Sequence, residues 1–193
     1  MEKNREFYDE IYLKGGSKGM YFKQPEQTIY FPIWKRIGEI LTKKESILEI
    51  GCGVGQLANY LLREEKNYIK GIDFSEVAIE KAKQLNSAFA SNCAFEVKDI
   101  YSVEAQYLPF ETIICCEVLE HLEEDLEVIK LLPSNVRFIF SVPNFKNESH
   151  VRLFENKLQI RKRYKKLKFV NIEEFSLSSK NNNKLFLIDS IVR

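Results

Sequence analysis

The sequence has little with which to do most kinds of chemistry. Only two histidines, His121 and His150, occur in 193 residues, so any imidazole chemistry falls on one or both. The four cysteines, Cys52, Cys93, Cys115 and Cys116, form no CxxC pair and no set of metal-ligand spacings, which points to a reduced, cytoplasmic protein. No apolar run approaches the roughly 20 residues needed to cross a bilayer. Met1-Glu2-Lys3-Asn4-Arg5 leads into no apolar signal segment. Net charge is nearly absent as well: 29 Lys and Arg stand against 28 Asp and Glu, so no global field recruits nucleic acid or an acidic membrane surface. Any basic preference is local.

What is present is apolar content, 45% of the chain, enough for one domain with a substantial core. From Ser46 onward, short Ile-, Val- and Phe-rich runs alternate with charged segments of helical spacing, the rhythm of βα units around a largely parallel sheet. The strands expected are Ser46–Ile50, Tyr68–Asp73, Ala94–Lys98, Thr112–Cys116 and Val136–Val142. Helices fit Gly55–Arg63, Ser75–Asn86, Glu124–Leu131 and Asn156–Tyr164. The runs Phe169–Ser178 and Lys184–Val192, joined through Asn181-Asn182-Asn183, suggest an antiparallel pair closing the sheet. Before Ser46, helices are expected over Arg5–Leu13 and Glu26–Leu41 around the Gly15-to-Gly19 loop. The α/β chain therefore divides into a helical lid segment, 1–45, and a ligand-binding core, 46–193.

Leu48-Glu49-Ile50-Gly51-Cys52-Gly53-Val54-Gly55 ends the first strand in a glycine loop. Glycine removes the side chain where backbone and ligand approach closely and permits positive φ; an ordinary tight βα turn is the plainer alternative. A dinucleotide fingerprint needs its third glycine three residues after the second, where this chain has Gln56. No Gly-Lys-Ser/Thr ends the loop, so a nucleoside triphosphate is not its ligand either. Asp73 ends the second strand, where a carboxylate can accept two hydrogen bonds from a ribose diol. Asp99 ends the third, beside apolar Ile100, where an adenine can meet it. A helix N-cap is the alternative for either Asp.

Together with Glu117-Val118-Leu119-Glu120-His121-Leu122 after strand four, these motifs resemble the class I S-adenosylmethionine-dependent methyltransferases over nearly all of Ser46 to Arg193. The resemblance implies a Rossmann-like, mostly parallel seven-stranded sheet with an antiparallel last strand and helices on both faces. It implies that Asp73 holds the ribose hydroxyls of S-adenosylmethionine, that Asp99 and Ile100 meet the adenine, and that Gly51 and Gly53 pass under the methionine part. Glu49, Cys52, Gly55, Gln56, Phe74 and Glu117 complete the candidate cofactor wall. The chain departs from the pattern at Leu132-Pro133-Ser134-Asn135, where many relatives have Pro-Gly-Gly; a changed local turn is expected.

If Glu117 begins a helix, Glu117, Glu120 and His121 at i, i+3 and i+4 share one face. Two carboxylates and an imidazole then make a candidate site for a divalent cation such as Mg2+, with His150 as fourth ligand or as general base. The string is similar to that of ubiquinone-biosynthesis O-methyltransferases and small-RNA 2′-O-methyltransferases, whose Glu-x-x-Glu-His motif carries a metal. It is also widespread where no metal is known, as pocket wall or structural turn. His121 and His150 are the catalytic candidates, against the plainer reading of loop histidines.

Arg161 to Lys168 concentrates positive charge, either as a solvated helix face or to attract an anionic acceptor or nucleic-acid backbone. Phe145, Phe154 and Tyr164 lie nearby in sequence, yet such aromatics are more often core than base-stacking platforms. Tyr21, Phe22, Tyr30, Phe31 and Trp34 crowd the leading segment, where they line a lid or pack an amphipathic helix. With no appended recognition module, the expected acceptor is a small molecule methylated at oxygen, a sugar or phenol. An RNA ribose methyltransferase and a cofactor-binding regulatory module without turnover are the alternatives.

Overall fold

Apolar residues on both sides of each central strand leave the sheet no solvated face, so helices must cover both. The computed structural model describes residues 1–42, 44–64, 68–102, 110–177 and 182–193. Strands β1 (Ser46–Ile50), β2 (Tyr68–Asp73), β3 (Cys93–Val97), β4 (Thr112–Cys116) and β5 (Arg137–Pro143) pair in parallel. β7 (Lys184–Val192) runs antiparallel between β5 and β6 (Leu167–Ser176). The order is β3-β2-β1-β4-β5-β7-β6, the seven-stranded sheet with a reversed last strand that the resemblance implied. Ser178 and Asn181, expected in the closing hairpin, lie outside the described residues.

Period-two alternation sorts the core into two layers. Leu48 and Ile50 face Phe138, Phe140 and Val128, whereas Ile47 faces the opposite way with Ile33, Leu57, Leu61 and Ile139. The helices are α1 (Arg5–Lys14), α2 (Phe31–Ile40), α3 (Gln56–Arg63), α4 (Glu76–Leu85), α5 (Asp125–Leu131) and α6 (Lys157–Arg163). Ser75 caps α4 by accepting the Ala78 N–H at 3.0 Å, with Glu76 in the first turn, where an anion suits the helix dipole.

Two expectations fail. The single helix over Glu26–Leu41 is instead a 3-10 turn at Pro25–Gln27, an extended Thr28 and then α2. Pro32 explains the break, because proline has no N–H to donate and its ring collides with the preceding turn except at a helix start. Nor does Glu117 begin a helix: its φ is +57°, and only a 3-10 turn, Leu119–His121, follows. The turn at Leu132–Asn135 uses a left-handed asparagine. Asn135 takes φ +65° and donates its N–H to Val192 O at 2.8 Å, and asparagine tolerates that left-handed conformation better than most residues.

β1 lies between β2 and β4, so the connections diverge there and open a crevice at the carboxyl ends of the strands. Among the described residues no helix is long and apolar enough to cross a membrane.

Candidate functional site

A cavity of about 770 Å³ fills that crevice. Its floor is the glycine loop. Gly51 has φ +69°, and a Cβ there would lie 2.3 Å from Val118 Cγ2, so a side chain would collide as well as strain the backbone. The Gly51 and Cys52 N–H groups both donate to Ile72 O, at 2.8 and 2.9 Å, which ties the loop to β2. Gly55, at φ +74°, starts α3.

Asp73 closes β2 at the cavity wall, only 5% exposed. Its Oδ2 accepts the Gly53 N–H at 3.0 Å and its Oδ1 the Ser75 N–H at 2.9 Å. Burial pushes its pKa up to about 6 against these bonds. Glu49 is buried beneath the loop, and desolvation reinforced by Asp73 raises it to about 8. Phe74, Asp99 and Ile100 also line the cavity. Asp99 Oδ1 accepts the Tyr101 N–H at 2.8 Å, so here it serves the turn Ile100–Ser102. Gln56 also lines the cavity. Its side-chain amide donates to Met20 O at 3.1 Å and Lys23 O at 2.6 Å, fastening the leading segment to the glycine loop.

The other end of the cavity holds Cys116, Glu117, His121 and His150. Glu117 Oε1 accepts the Ser141 hydroxyl at 2.8 Å, and the Ser141 oxygen accepts the Glu117 N–H at 3.1 Å. Burial raises the Glu117 carboxyl to about 7. His121 and His150 stand edge to face with ring centroids 4.8 Å apart. Each places Nδ1 against a carbonyl, Ser149 O at 3.0 Å and Phe145 O at 2.9 Å. A carbonyl only accepts, so Nδ1 carries the proton on both rings and Nε2 keeps a lone pair. Desolvation lowers both pKa values, that of His121 to about 4.

Glu120 is fully buried behind His121, neither carboxylate oxygen has a hydrogen-bond partner, and desolvation drives its pKa well up. Ligand-capable atoms of Glu120, His121 and His150 fall within 4.8 Å of one another. Glu117 does not join this set, because its left-handed backbone turns it away from the helical i, i+4 relation to His121. The four-ligand arrangement expected from spacing is thus reduced to three.

A family model described as a methyltransferase domain matches residues 41–185. The chain belongs to the methyltransferase domain family. It is 29% identical over 116 residues to a ubiquinone biosynthesis O-methyltransferase of Neisseria meningitidis serogroup A, covering 55% of this chain and 48% of the relative. The enzyme of the same name from Coxiella burnetii is 29% identical over 110 residues, 55% of this chain and 47% of the other. The chain spans about half the length of these curated relatives. Among solved structures, a Burkholderia thailandensis 1,6-didemethyltoxoflavin-N1-methyltransferase with bound S-adenosylhomocysteine superposes with TM-score 0.78 at 15% identity, covering 97% of this chain and 86% of that one. The N-methyltransferase NodS of Bradyrhizobium japonicum, also with S-adenosylhomocysteine, gives 0.70 at 18% identity over 97% of each chain. The [4+2]-cyclase SpnF fits with TM-score 0.72 at 14% identity, covering 97% of this chain and 95% of that one, so the shared fold does not dictate the reaction.

The leading segment lines the cavity with Tyr21, Tyr30 and Trp34, and also with Tyr8 and Tyr12, while Trp34 packs as well in the core with Ile33 and Leu57, the helix packing given as the alternative to a lid. Phe22 is instead 62% exposed, and Phe31 packs edge-on against Tyr60. Sequence reading passed over Tyr8 and Tyr12, although their i, i+4 spacing puts both on one face of α1. The basic run lies elsewhere: Lys162, Arg163 and Lys165 line a separate groove. Phe154 and Tyr164 are buried and offer no stacking platform.

Proposed function

We propose that this methyltransferase domain binds S-adenosylmethionine across the glycine loop and Asp73 and methylates an oxygen of a small acceptor without negative charge, a phenol or sugar hydroxyl. The bare floor at Gly51 and Gly53, the buried Asp73 carboxylate and apolar Ile100 fit the methionine, ribose and adenine parts of that cofactor. Bound there, it supplies a methyl group on a positively charged sulfur, a leaving group that needs no acid. The family match and the S-adenosylhomocysteine bound in related folds favour the same cofactor.

The observation that carries the oxygen acceptor is the pair of imidazoles with Nδ1 committed to carbonyls and no hydrogen bond at Nε2 among the described residues, that of His121 lying 3.7 Å from Glu120 Oε1. A hydroxyl acceptor needs its proton removed as it attacks, and a neutral imidazole at the cavity end is suited to take it. His150, the less buried of the two, is the base in this reading, and His121 orients the acceptor. Of the cavity's cations, Lys3, Arg5 and Lys14 are already paired with Glu148, Glu76 and Glu10, which disfavours a phosphate or carboxylate acceptor. A cavity lined by the leading segment disfavours a polymer.

A second reading has its own support in the two unpartnered Glu120 oxygens. Glu120, His121 and His150 would hold a divalent cation, which would lower the pKa of an acceptor hydroxyl. The same Nε2 atoms cannot both bind a cation and take a proton, so the readings are exclusive. Release of S-adenosylhomocysteine is measured over a panel of phenols, sugars, amines and phosphorylated compounds, with and without chelator. Turnover with neutral hydroxyl acceptors that survives chelation supports the base; loss on chelation supports the cation; turnover confined to amines or phosphates contradicts both.

A further inference from the structure

One residue outside the glycine loop and the histidines collects almost every carbonyl of the turn that carries Glu120 and His121. The Arg152 guanidinium donates from Nη1 to Leu119 O at 2.8 Å and to Leu122 O, and from Nη2 to Glu123 O at 2.9 Å. The backbone N–H groups of Val151 and Arg152 donate to Glu120 O at 2.9 and 3.3 Å. The same loop supplies Ser149 O to His121 and carries His150 itself. A 3-10 turn of three residues has few bonds of its own, so its geometry depends on these outside donors.

Arg152 is itself held. Asp125, fully buried at the start of α5, lies 3.1 Å from Arg152 Nη1 and 2.5 Å from Arg163 Nη2. Its Oδ2 also accepts the Tyr164 hydroxyl at 2.8 Å. A buried carboxylate between two guanidiniums and a phenol is satisfied and neutralised, and removal of a partner leaves charge uncompensated. Only a planar fork of several N–H donors can serve three carbonyls and a carboxylate at once; a lysine ammonium has three donors and no fixed plane.

We propose that Arg152 is a positioning residue: anchored on Asp125, it clamps the Leu119–His121 turn to the 149–152 loop and so sets the separation and ring orientation of His121 and His150. Arg152 does not line the cavity and sits instead on the separate groove with Arg163. Its importance for turnover rests on the reading that the two imidazoles meet the acceptor, but the clamp itself is measurable without turnover.

The chain has two histidines, so ¹⁵N-imidazole spectra resolve both rings. The full chain is studied at pH 8 with chelator and saturating S-adenosylhomocysteine. In the wild type each ring shows one tautomer, protonated at Nδ1. In Arg152→Met, His121 exchanges between tautomers as the Ser149 bond loosens, while affinity for S-adenosylhomocysteine stays within about twofold because Arg152 does not line the cavity. Arg152→Lys, which keeps a charge for Asp125, is expected to recover part of the single-tautomer signal. It also keeps the test decisive if the methionine variant does not fold, because a wild-type spectrum in Arg152→Lys alone then overturns the proposal. Unchanged rings in Arg152→Met overturn it, as does loss of S-adenosylhomocysteine binding along with the rings, which would make Arg152 a support of the fold at large. If the wild type turns over no acceptor, the functional reading fails while the ring spectra still decide the clamp.

Discussion

His121 and His150, 29 positions apart in the chain, meet with ring centroids 4.8 Å apart, each bound through Nδ1 to a main-chain carbonyl. β4 and β5 are parallel neighbours, so the segments after them emerge at the same end of the sheet. The sheet topology therefore builds the pair, and the carbonyls fix its tautomers.

Replacing either imidazole should separate chemistry from cofactor binding. His150→Ala and His121→Asn are expected to lower kcat by roughly 100-fold or more, the usual scale for a lost general base or its partner. The dissociation constant for S-adenosylhomocysteine should hold, because neither ring contacts the glycine loop. Single-turnover kinetics beside calorimetry check this; a loss confined to cofactor affinity would remove the histidines from the chemistry.

The ligand-free protein should lose stability as pH rises from about 5 to about 8. Folded pKa values of about 6 for Asp73, about 7 for Glu117 and about 8 for Glu49 all lie above the unfolded carboxylate range. The folded state therefore holds more protons than the unfolded one over that interval, and stability is lost as pH rises through it. His121, lowered to about 4, works in the opposite sense between pH 4 and its unfolded pKa near 6.5. Above pH 6.5 only the carboxylates act, and Tm should fall by roughly 5 °C toward pH 8.5. Glu49→Gln should flatten the upper part of that slope in a calorimetric scan; an unchanged slope would show that Glu49 does not carry it.

Gln56 links the cofactor loop to the leading segment. Gln56→Glu keeps the shape but removes the donor to Met20 O and Lys23 O, leaving carbonyls facing a carboxylate. Hydrogen exchange at the Tyr21 amide, bonded to Gly15 O at 2.9 Å, should quicken by about tenfold or more, since two lost hydrogen bonds are worth about 1 to 3 kcal/mol. Exchange equal to wild type would mean that the aromatic contacts alone hold the segment.

How far the sequence discloses all this depends on the range of the interaction concerned. β1 and its glycine loop are readable because apolar alternation and the freedom of Gly51 are local properties. Ser75 is readable as a cap for the same reason. The misread helix before Leu41 came from weighing hydrophobic spacing above Pro32, a local signal that was available. Glu117 is different: nothing in a glutamate announces φ +57°, and its partner Ser141 comes from β5, 24 positions away. Arg152 and Asp125, 27 positions apart, gain their meaning only when α5 and the loop after β5 are brought together.

Calorimetric titration of the folded chain with S-adenosylhomocysteine, across pH, tests the central claim most directly. One molecule should bind per chain with release of protons near pH 6. Binding favours the ionised Asp73, so affinity should fall by about tenfold from pH 7 to pH 5. Asp73→Asn should weaken binding by roughly 10- to 100-fold, in line with lost hydrogen bonds to a charged group, and should abolish that pH dependence. Folded protein that takes up no S-adenosylhomocysteine, or that binds it equally well with Asp73→Asn at every pH, would contradict the assignment of the glycine loop and Asp73 as the cofactor site.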